Sequence, residues 1–255
     1  MDEGLCHRGA EFIEQERWQD AVEAFTEAVN QTPASAEAWF NLGLANAGLG
    51  QFDAAVDSYN KALHLDPALA GAHVALGAVL RKLYRFDESA SVLREGLAYF
   101  ADDPALLLQL GIVYSSTGNY TDALPVLAKA VQLTPDNAEA HYSYAVVLGA
   151  QGQTEQALGE FRTTVALNPS DAFAYCNLGV TYARLGQFEM AEQEFHHALA
   201  INKTYVYALY ALGWVYVMTK RYDTARGISK QLTTLDNDLA SRLETLITEQ
   251  GGQAE

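Results

Sequence analysis

The sequence predicts an all-α array of helical hairpins, and three observations carry that prediction. Residue types recur at a spacing of 34 along the chain, small residues recur at two fixed offsets within each unit, and no insertion breaks the phase. Taking Ala36 as position 1, position 8 reads Gly9, Gly43, Gly77, Gly111, Ala145, Gly179 and Gly213. Position 20 reads Ala21, Ala55, Ser89, Ala123, Ala157, Ala191 and Ala225. Self-similarity at such a period is the mark of a stacked-repeat architecture.

Seven units are expected, over 2–35, 36–69, 70–103, 104–137, 138–171, 172–205 and 206–239, with a capping helix and tail over 240–255. Each unit reads as two antiparallel helices, A at about positions 2 to 14 and B at about 17 to 30. Helix A turns positions 4, 7, 8 and 11 inward, as in Leu107, Leu110, Gly111 and Tyr114, and helix B answers with positions 17, 20, 24 and 27. A glycine inside a helix costs about 1 kcal/mol relative to alanine. Its recurrence at position 8 therefore implies that the two helices approach closely there.

The boundaries have their own chemistry. Pro33, Pro67, Pro135 and Pro169 stop helix B, because proline cannot continue a helix. Ser35, Asp103, Asn137 and Asp171 then stand where the next helix A needs a capping acceptor, and Pro104 follows at a first helical position. Gly50, Gly118, Gly152 and Gly186 mark the turns between A and B. Unit 7 departs furthest, with Ser229, Leu232 and Asn237 at positions 24, 27 and 32, as a terminal unit of a stack does. Leu239, Leu243, Leu246 and Ile247 share one helical face and are expected to cap that end, with Gln250 to Glu255 disordered.

Within Ala36–Leu69, Trp39, Leu42, Gly43, Ala55, Tyr59, Ala62 and Pro67 occupy positions 4, 7, 8, 20, 24, 27 and 32, and only Asn46 departs, at position 11. The unit thereby resembles the tetratricopeptide repeat, TPR. That resemblance implies an α-solenoid, a right-handed TPR superhelix, whose A helices line a concave face and whose ligands lie against positions 2, 5, 6, 9, 12 and 13. Position 5 reads Cys6, Phe40, Val74, Leu108, Tyr142, Cys176 and Tyr210, and position 9 reads Ala10, Leu44, Ala78, Ile112, Val146, Val180 and Trp214. All are apolar or aromatic. Position 2 is acidic at Glu37 and aromatic at Phe173 and Tyr207, with Arg81, Lys82 and Arg184 at positions 12 and 13 between. The partner-binding residues implied are Glu37, Phe40, Asn41, Leu44, Gln109, Tyr142, Phe173, Asn177, Tyr207, Tyr210 and Trp214, with Asn41, Gln109 and Asn177 addressing a peptide backbone. The bland alternative is that these side chains pack on the neighbouring A helix or close the end beneath the cap. A carboxylate clamp is not expected, because the places around Asn41 and Asn177 that would carry Lys, Asn and Arg hold Cys6, Ala10, Gly71 and Ala75, and Tyr142, Val146, Tyr207 and Ala211.

Charge and composition narrow the function. The 32 acidic and 16 basic residues give a net charge of −16, which opposes phosphate backbones, so nucleic acid is not an expected partner. The same charge favours a protein or peptide partner that is apolar with basic or mixed charge. No run is long enough to cross a bilayer, so direct membrane insertion is not expected. Cys6 and Cys176 are five units apart, too distant in an extended array for a disulfide, and helical positions begin at once where a signal peptide would lie. Thiols in a reducing, cytoplasmic setting are the expectation. The chain has no phosphate-binding glycine loop, CxxC or HExxH, and His196 and His197 face different ways on one helix. His73 and His141, both at position 4, are expected to pack rather than bind metal. With every residue assigned to a repeat or the cap, neither catalysis nor a cofactor is expected. The expected function is a non-enzymatic protein–protein interaction scaffold that binds an extended peptide or amphipathic helix in its concave groove. The alternatives are a self-assembling homo-oligomeric platform and a substrate-delivering accessory subunit of an enzyme complex.

Overall fold

The computed structural model describes residues 2–251, and among them it contains fifteen α-helices and no strand. They divide into two compact units. Unit 1, Met1–Thr134, contains α1 (Asp2–Glu14), α2 (Trp18–Gln31), α3 (Ala36–Gly48), α4 (Phe52–Leu65), α5 (Ala70–Lys82), α6 (Phe86–Tyr99), α7 (Pro104–Ser116) and α8 (Tyr120–Leu133). Unit 2, Pro135–Glu255, contains α9 (Ala138–Ala150), α10 (Thr154–Leu167), α11 (Ala172–Arg184), α12 (Phe188–Ile201), α13 (Val206–Met218), α14 (Tyr222–Leu232) and α15 (Asn237–Gly251). Odd-numbered helices from α1 to α13 are the A helices and start at 34-residue intervals.

In unit 1 each A helix packs on its B partner, and α1, α3 and α5 also pack on the next A helix in sequence. The contact between A and B is made where a ring or branched side chain of B covers a glycine of A. A Cβ added at Gly9 would meet the Phe25 ring, one at Gly43 the Tyr59 ring and one at Gly77 the Leu93 side chain. Phe25, Tyr59 and Leu93 are each 0–1% exposed, and burying a side chain of that size contributes about 1.5–3 kcal/mol. Ser89, the single hydroxyl at position 20, is buried without penalty because its Oγ donates to the Gly77 carbonyl at 2.7 Å.

Unit 2 repeats the device at Gly179, which faces Phe195, but its last hairpin solves the problem differently. Position 24 there is Ser229, too small to cover Gly213, and Leu243 of α15 fills that place instead. Ser229 donates to the Ala240 carbonyl at 3.2 Å, tying α14 to α15. Leu243 and Ile247 are fully buried and Ala240 nearly so, giving α15 the expected packed face.

The expected caps form. Ser35, Asp103, Asn137 and Asp171 accept hydrogen bonds from Ala38, Leu106, Ala140, and Phe173 with Ala174, at 2.8–3.1 Å. A further brace closes three of the proline-bearing loops: Trp39 Nε1 donates to the Pro33 carbonyl at 2.9 Å, and the Nε2 atoms of His73 and His141 lie 2.9 and 3.0 Å from the carbonyls of Pro67 and Pro135. Both histidines are buried, and their Nδ1 atoms face the Val92 carbonyl and the Glu160 carboxylate. In these three units position 4 carries a bulky ring whose nitrogen meets the loop carbonyl.

The C-terminal boundary differs from expectation. Helix α15 starts at Asn237 rather than 240, because Asp236 accepts hydrogen bonds from the amides of Asp238 and Leu239 and so caps a helix three residues early. Gln250 and Gly251 are helical rather than disordered, and the Gln250 carbonyl accepts a hydrogen bond from Tyr222 at 3.1 Å. The rest of the expected tail, 252–255, lies outside the described residues.

Two stability outcomes follow from this packing. An added Cβ at Gly179 would lie 2.7 Å from the Phe195 ring, so Gly179→Leu is expected to lose roughly 1–3 kcal/mol by overpacking; an unchanged melting temperature would refute the close-approach account. Tyr84 sits at φ 59° where four other turns use glycine at φ 73–80°, and it is 81% exposed. Relief of left-handed strain, worth roughly 1–2 kcal/mol and partly offset by glycine's unfolded-state entropy, should let Tyr84→Gly raise stability by up to about 1 kcal/mol in a denaturant titration.

Candidate functional site

The apolar surface predicted for the A helices is concentrated in unit 2. Across α9, α11 and α13 the only Asp, Glu, Lys or Arg residues are Glu139 and Arg184. Asp171 starts α11 by accepting the amides of Phe173 and Ala174, which leaves the Phe173 side chain outside the core and 60% exposed. One unit later the equivalent place is Tyr205, which has an extended backbone and makes no side-chain cap. Its ring therefore packs sideways, 5.0 Å from the Phe173 ring and 6.1 Å from that of Tyr207. Tyr207 itself is 64% exposed.

Tyr205 and Tyr207 border a cavity of about 520 Å³ whose walls come from α11, through Cys176, Asn177, Val180 and Arg184, and from α13, through Tyr207, Tyr210 and Trp214. Tyr205 and Phe195 also line it. A cleft of this size and aromatic character suits an apolar side chain or a short segment of chain. Tyr142 stands beside it: its hydroxyl accepts from Asn177 Nδ2 at 3.0 Å, and its ring meets Phe161 edge-on at 5.8 Å. Asn177 Nδ2 also donates to the Phe173 carbonyl at 3.0 Å. The amide donor anticipated for a peptide backbone is therefore engaged within the protein, and Oδ1 is the atom left to accept.

The sequence-predicted residues of unit 1 are arranged differently. Glu37 is exposed and Asn41 half-buried on α3. Phe40 and Leu44 pack against the core formed by α4 and α5, Phe40 lying 5.9 Å from the Tyr59 ring and against Gly71. Both are partly buried in that contact. Gln109 on α7 is half-buried, and its Oε1 is a buried atom with no hydrogen-bond partner. Tyr205 was not anticipated as a site residue. Its signal lay in the capping series, where Ser35, Asp103, Asn137 and Asp171 can cap and Tyr205, like Leu69, cannot.

Cys176 is buried, which pushes its thiol up to about 11, the Tyr205 hydrogen bond opposing this only in part. At neutral pH it is protonated and a poor nucleophile. Tyr205 is raised above the usual phenol range by burial and by the adjacent Cys176, and Tyr142 is raised mainly by burial. Among the described residues no group of three or more His, Cys, Asp or Glu side chains is placed to hold a metal ion, and no helix is long and apolar enough to cross a membrane.

Residues 5–171 match the family model of the cilia and flagella-associated protein 70 C-terminal domain, a TPR model, and residues 170–238 match that of the tetratricopeptide repeat. No curated protein matches the chain. Among solved structures, YrrB, described as a TPR protein with an unusual peptide-binding site, is 28% identical with a TM-score of 0.61 over 74% of this chain and 98% of its own. The pilF protein of Pseudomonas aeruginosa is 20% identical with a TM-score of 0.73, over 82% of this chain and 96% of its own. A chain of the APC/C hetero-tetramer Cut9–Hcn1 is 18% identical with a TM-score of 0.77, over 94% of this chain and 48% of its own. The latter two are likenesses of fold.

The raised thiol and phenols have a consequence for stability. A group whose folded-state value lies above its unfolded one contributes stability that is complete below the unfolded value and is lost as pH rises through the folded one. For Cys176 that window runs from 9.0 to about 11, with Tyr142 and Tyr205 acting in the same direction. Denaturant unfolding should give constant stability from neutral pH to about 9 and a decline above it, and Cys176→Ala should delay the start of that decline.

Proposed function

Because the chain belongs to the tetratricopeptide repeat family, whose members typically serve as non-catalytic interaction modules, we propose that it is a protein-interaction scaffold that captures an extended peptide or amphipathic helix on the A-helix face of unit 2. The observation that carries this reading is the aromatic cavity between α11 and α13, lined by Tyr207, which is 64% exposed, with Phe173, 60% exposed, against the lining ring of Tyr205. Burying two such rings against a partner removes from water an apolar surface that the chain alone leaves solvated. Tyr and Trp are the residue types enriched at binding hot spots. The description of YrrB as having a peptide-binding site supports the same class of ligand.

In this reading Tyr207, Tyr210 and Trp214 hold the partner's apolar side chains, Phe173 covers them from the rim, and Tyr142 and Asn177 form the polar floor. The partner is a protein or peptide rather than nucleic acid, given the net charge of −16. A reducing compartment such as the cytoplasm is the setting proposed.

Display of short random peptides against the immobilised full chain tests this. Peptides retained by the wild type should be lost by the Phe173→Ala, Tyr210→Ala double variant with helicity unchanged by circular dichroism, and the affinity of an individual peptide should fall about 30-fold or more. Equal retention by the double variant would reject the groove.

A further inference from the structure

Resting on that reading of the groove, the partner's chemistry can be taken further. Asn177, Val180 and Arg184, spaced at i, i+3 and i+7 on α11, line the aromatic cavity and also a second cavity of about 220 Å³. The second cavity is bounded by Ala145, Val146, Gly149 and Phe161 on its far side. Both lie within unit 2, so α11 presents a ridge with an apolar recess on each flank.

Arg184 stands on that ridge as its one charged group. It is exposed, and among the described residues its guanidinium makes one hydrogen bond, from Nη1 to the Gly149 carbonyl at 3.3 Å. The planar fork carries five N–H donors, so most of them meet no acceptor of the protein. Its ion-pairing geometry matches a carboxylate, which can engage two of those donors at once. A lysine or arginine from a partner would instead meet like charge, and neither recess is lined by an Asp or Glu to offset the repulsion. Four residues back along the ridge from Val180's neighbour Thr181, Asn177 has its Nδ2 engaged with Tyr142 and Phe173, leaving Oδ1 to accept a backbone N–H.

We infer that unit 2 recognises a partner segment in which an Asp or Glu lies between two bulky apolar residues. The carboxylate pairs with Arg184, one apolar side chain enters the recess walled by Tyr207, Tyr210 and Trp214, and the other enters the recess between Val146 and Phe161. The chain's overall negative charge does not oppose this, because charge across the A helices of unit 2 is confined to Glu139 and Arg184, and exposed charges beyond a Debye length of about 8 Å are largely screened at physiological salt.

The test is the same random-peptide display run in parallel on the full-length wild type, Arg184→Glu, and the Phe173→Ala, Tyr210→Ala double variant. Wild type should enrich peptides with an acidic residue flanked by aromatic or aliphatic ones, and Arg184→Glu should enrich Lys or Arg in that place. A synthetic wild-type-selected peptide should bind Arg184→Ala about tenfold more weakly in fluorescence anisotropy, with the loss diminishing at high salt. This second variant decides the matter if Arg184→Glu misfolds. Enriched peptides that lack the acid, or affinity indifferent to Arg184, while the aromatic double variant still abolishes retention, would overturn the acidic motif and leave the groove standing. No retention by wild type, or equal retention by the double variant, would overturn both. A dimer by light scattering that Arg184→Glu converts to monomer would assign the groove to a second copy and overturn the proposed partner.

Discussion

Everything else in the molecule depends on the distance at which helix A lies from helix B within a hairpin. That distance is set by a void: position 8 carries no side chain in six of the seven units, and a ring or branched chain from position 24 occupies the space. Phe25 over Gly9, Tyr59 over Gly43 and Phe195 over Gly179 are the same contact made with different atoms. Because packed interiors tolerate neither voids nor overlap, this contact fixes the rotation of each A helix about its axis. That rotation decides how far positions 5 and 9 pack on helix B, as Phe40 does on Tyr59 and Tyr142 on Phe161. The last hairpin shows how strict the requirement is: where position 24 shrinks to Ser229, Leu243 of α15 takes over the contact with Gly213. The capping helix therefore completes a core layer, which is more than covering an exposed end.

From that rotation comes the separation of surfaces in unit 2. Helix α12 alone carries Glu189, Glu192 and Glu194, whereas α13 has none of the four charged residue types. Charge kept on one set of helices maintains hydration while the other set presents aromatic rings. Such a division is costly for an isolated chain, since exposed rings order water and invite association, and it is the arrangement expected where a partner supplies the missing surface. In the proposed reading Arg184 belongs to this logic, because a single cation on an otherwise uncharged ridge would add selectivity without much changing the hydrophobic area.

Local sequence was a reliable guide wherever the responsible physics is local. Helix spans, turn glycines and the caps at Ser35, Asp103, Asn137 and Asp171 depend on residues within four positions of one another, and each was legible. Histidines 73 and 141 were legible as packing residues but not as braces on the Pro67 and Pro135 carbonyls, since those bonds depend on the path of the preceding loop. The early start of α15 was missed because Asp236 competes as a cap within the repeat frame, and a frame read by period alone gives it no weight.

By itself, then, the sequence determined the hairpin, its period, the close contact at position 8 and the apolar character of the A-helix face, because each is a matter of residue size, backbone preference and spacing along one or two helices. Only the tertiary structure decided which of those apolar residues are spent in packing and which border a cavity. Phe40 and Tyr210 occupy the same position of the unit, yet Phe40 packs against Gly71 of the following A helix, whereas after α13 the helix in that place is the cap α15, which covers Gly213 through Leu243. Tyr205 joins the site through the ring of Phe173, and Asn177 spends its donor on Tyr142 across two helices. The physical reason is that burial is a property of neighbours from other units, and the identity of those neighbours is settled only when the helices stack.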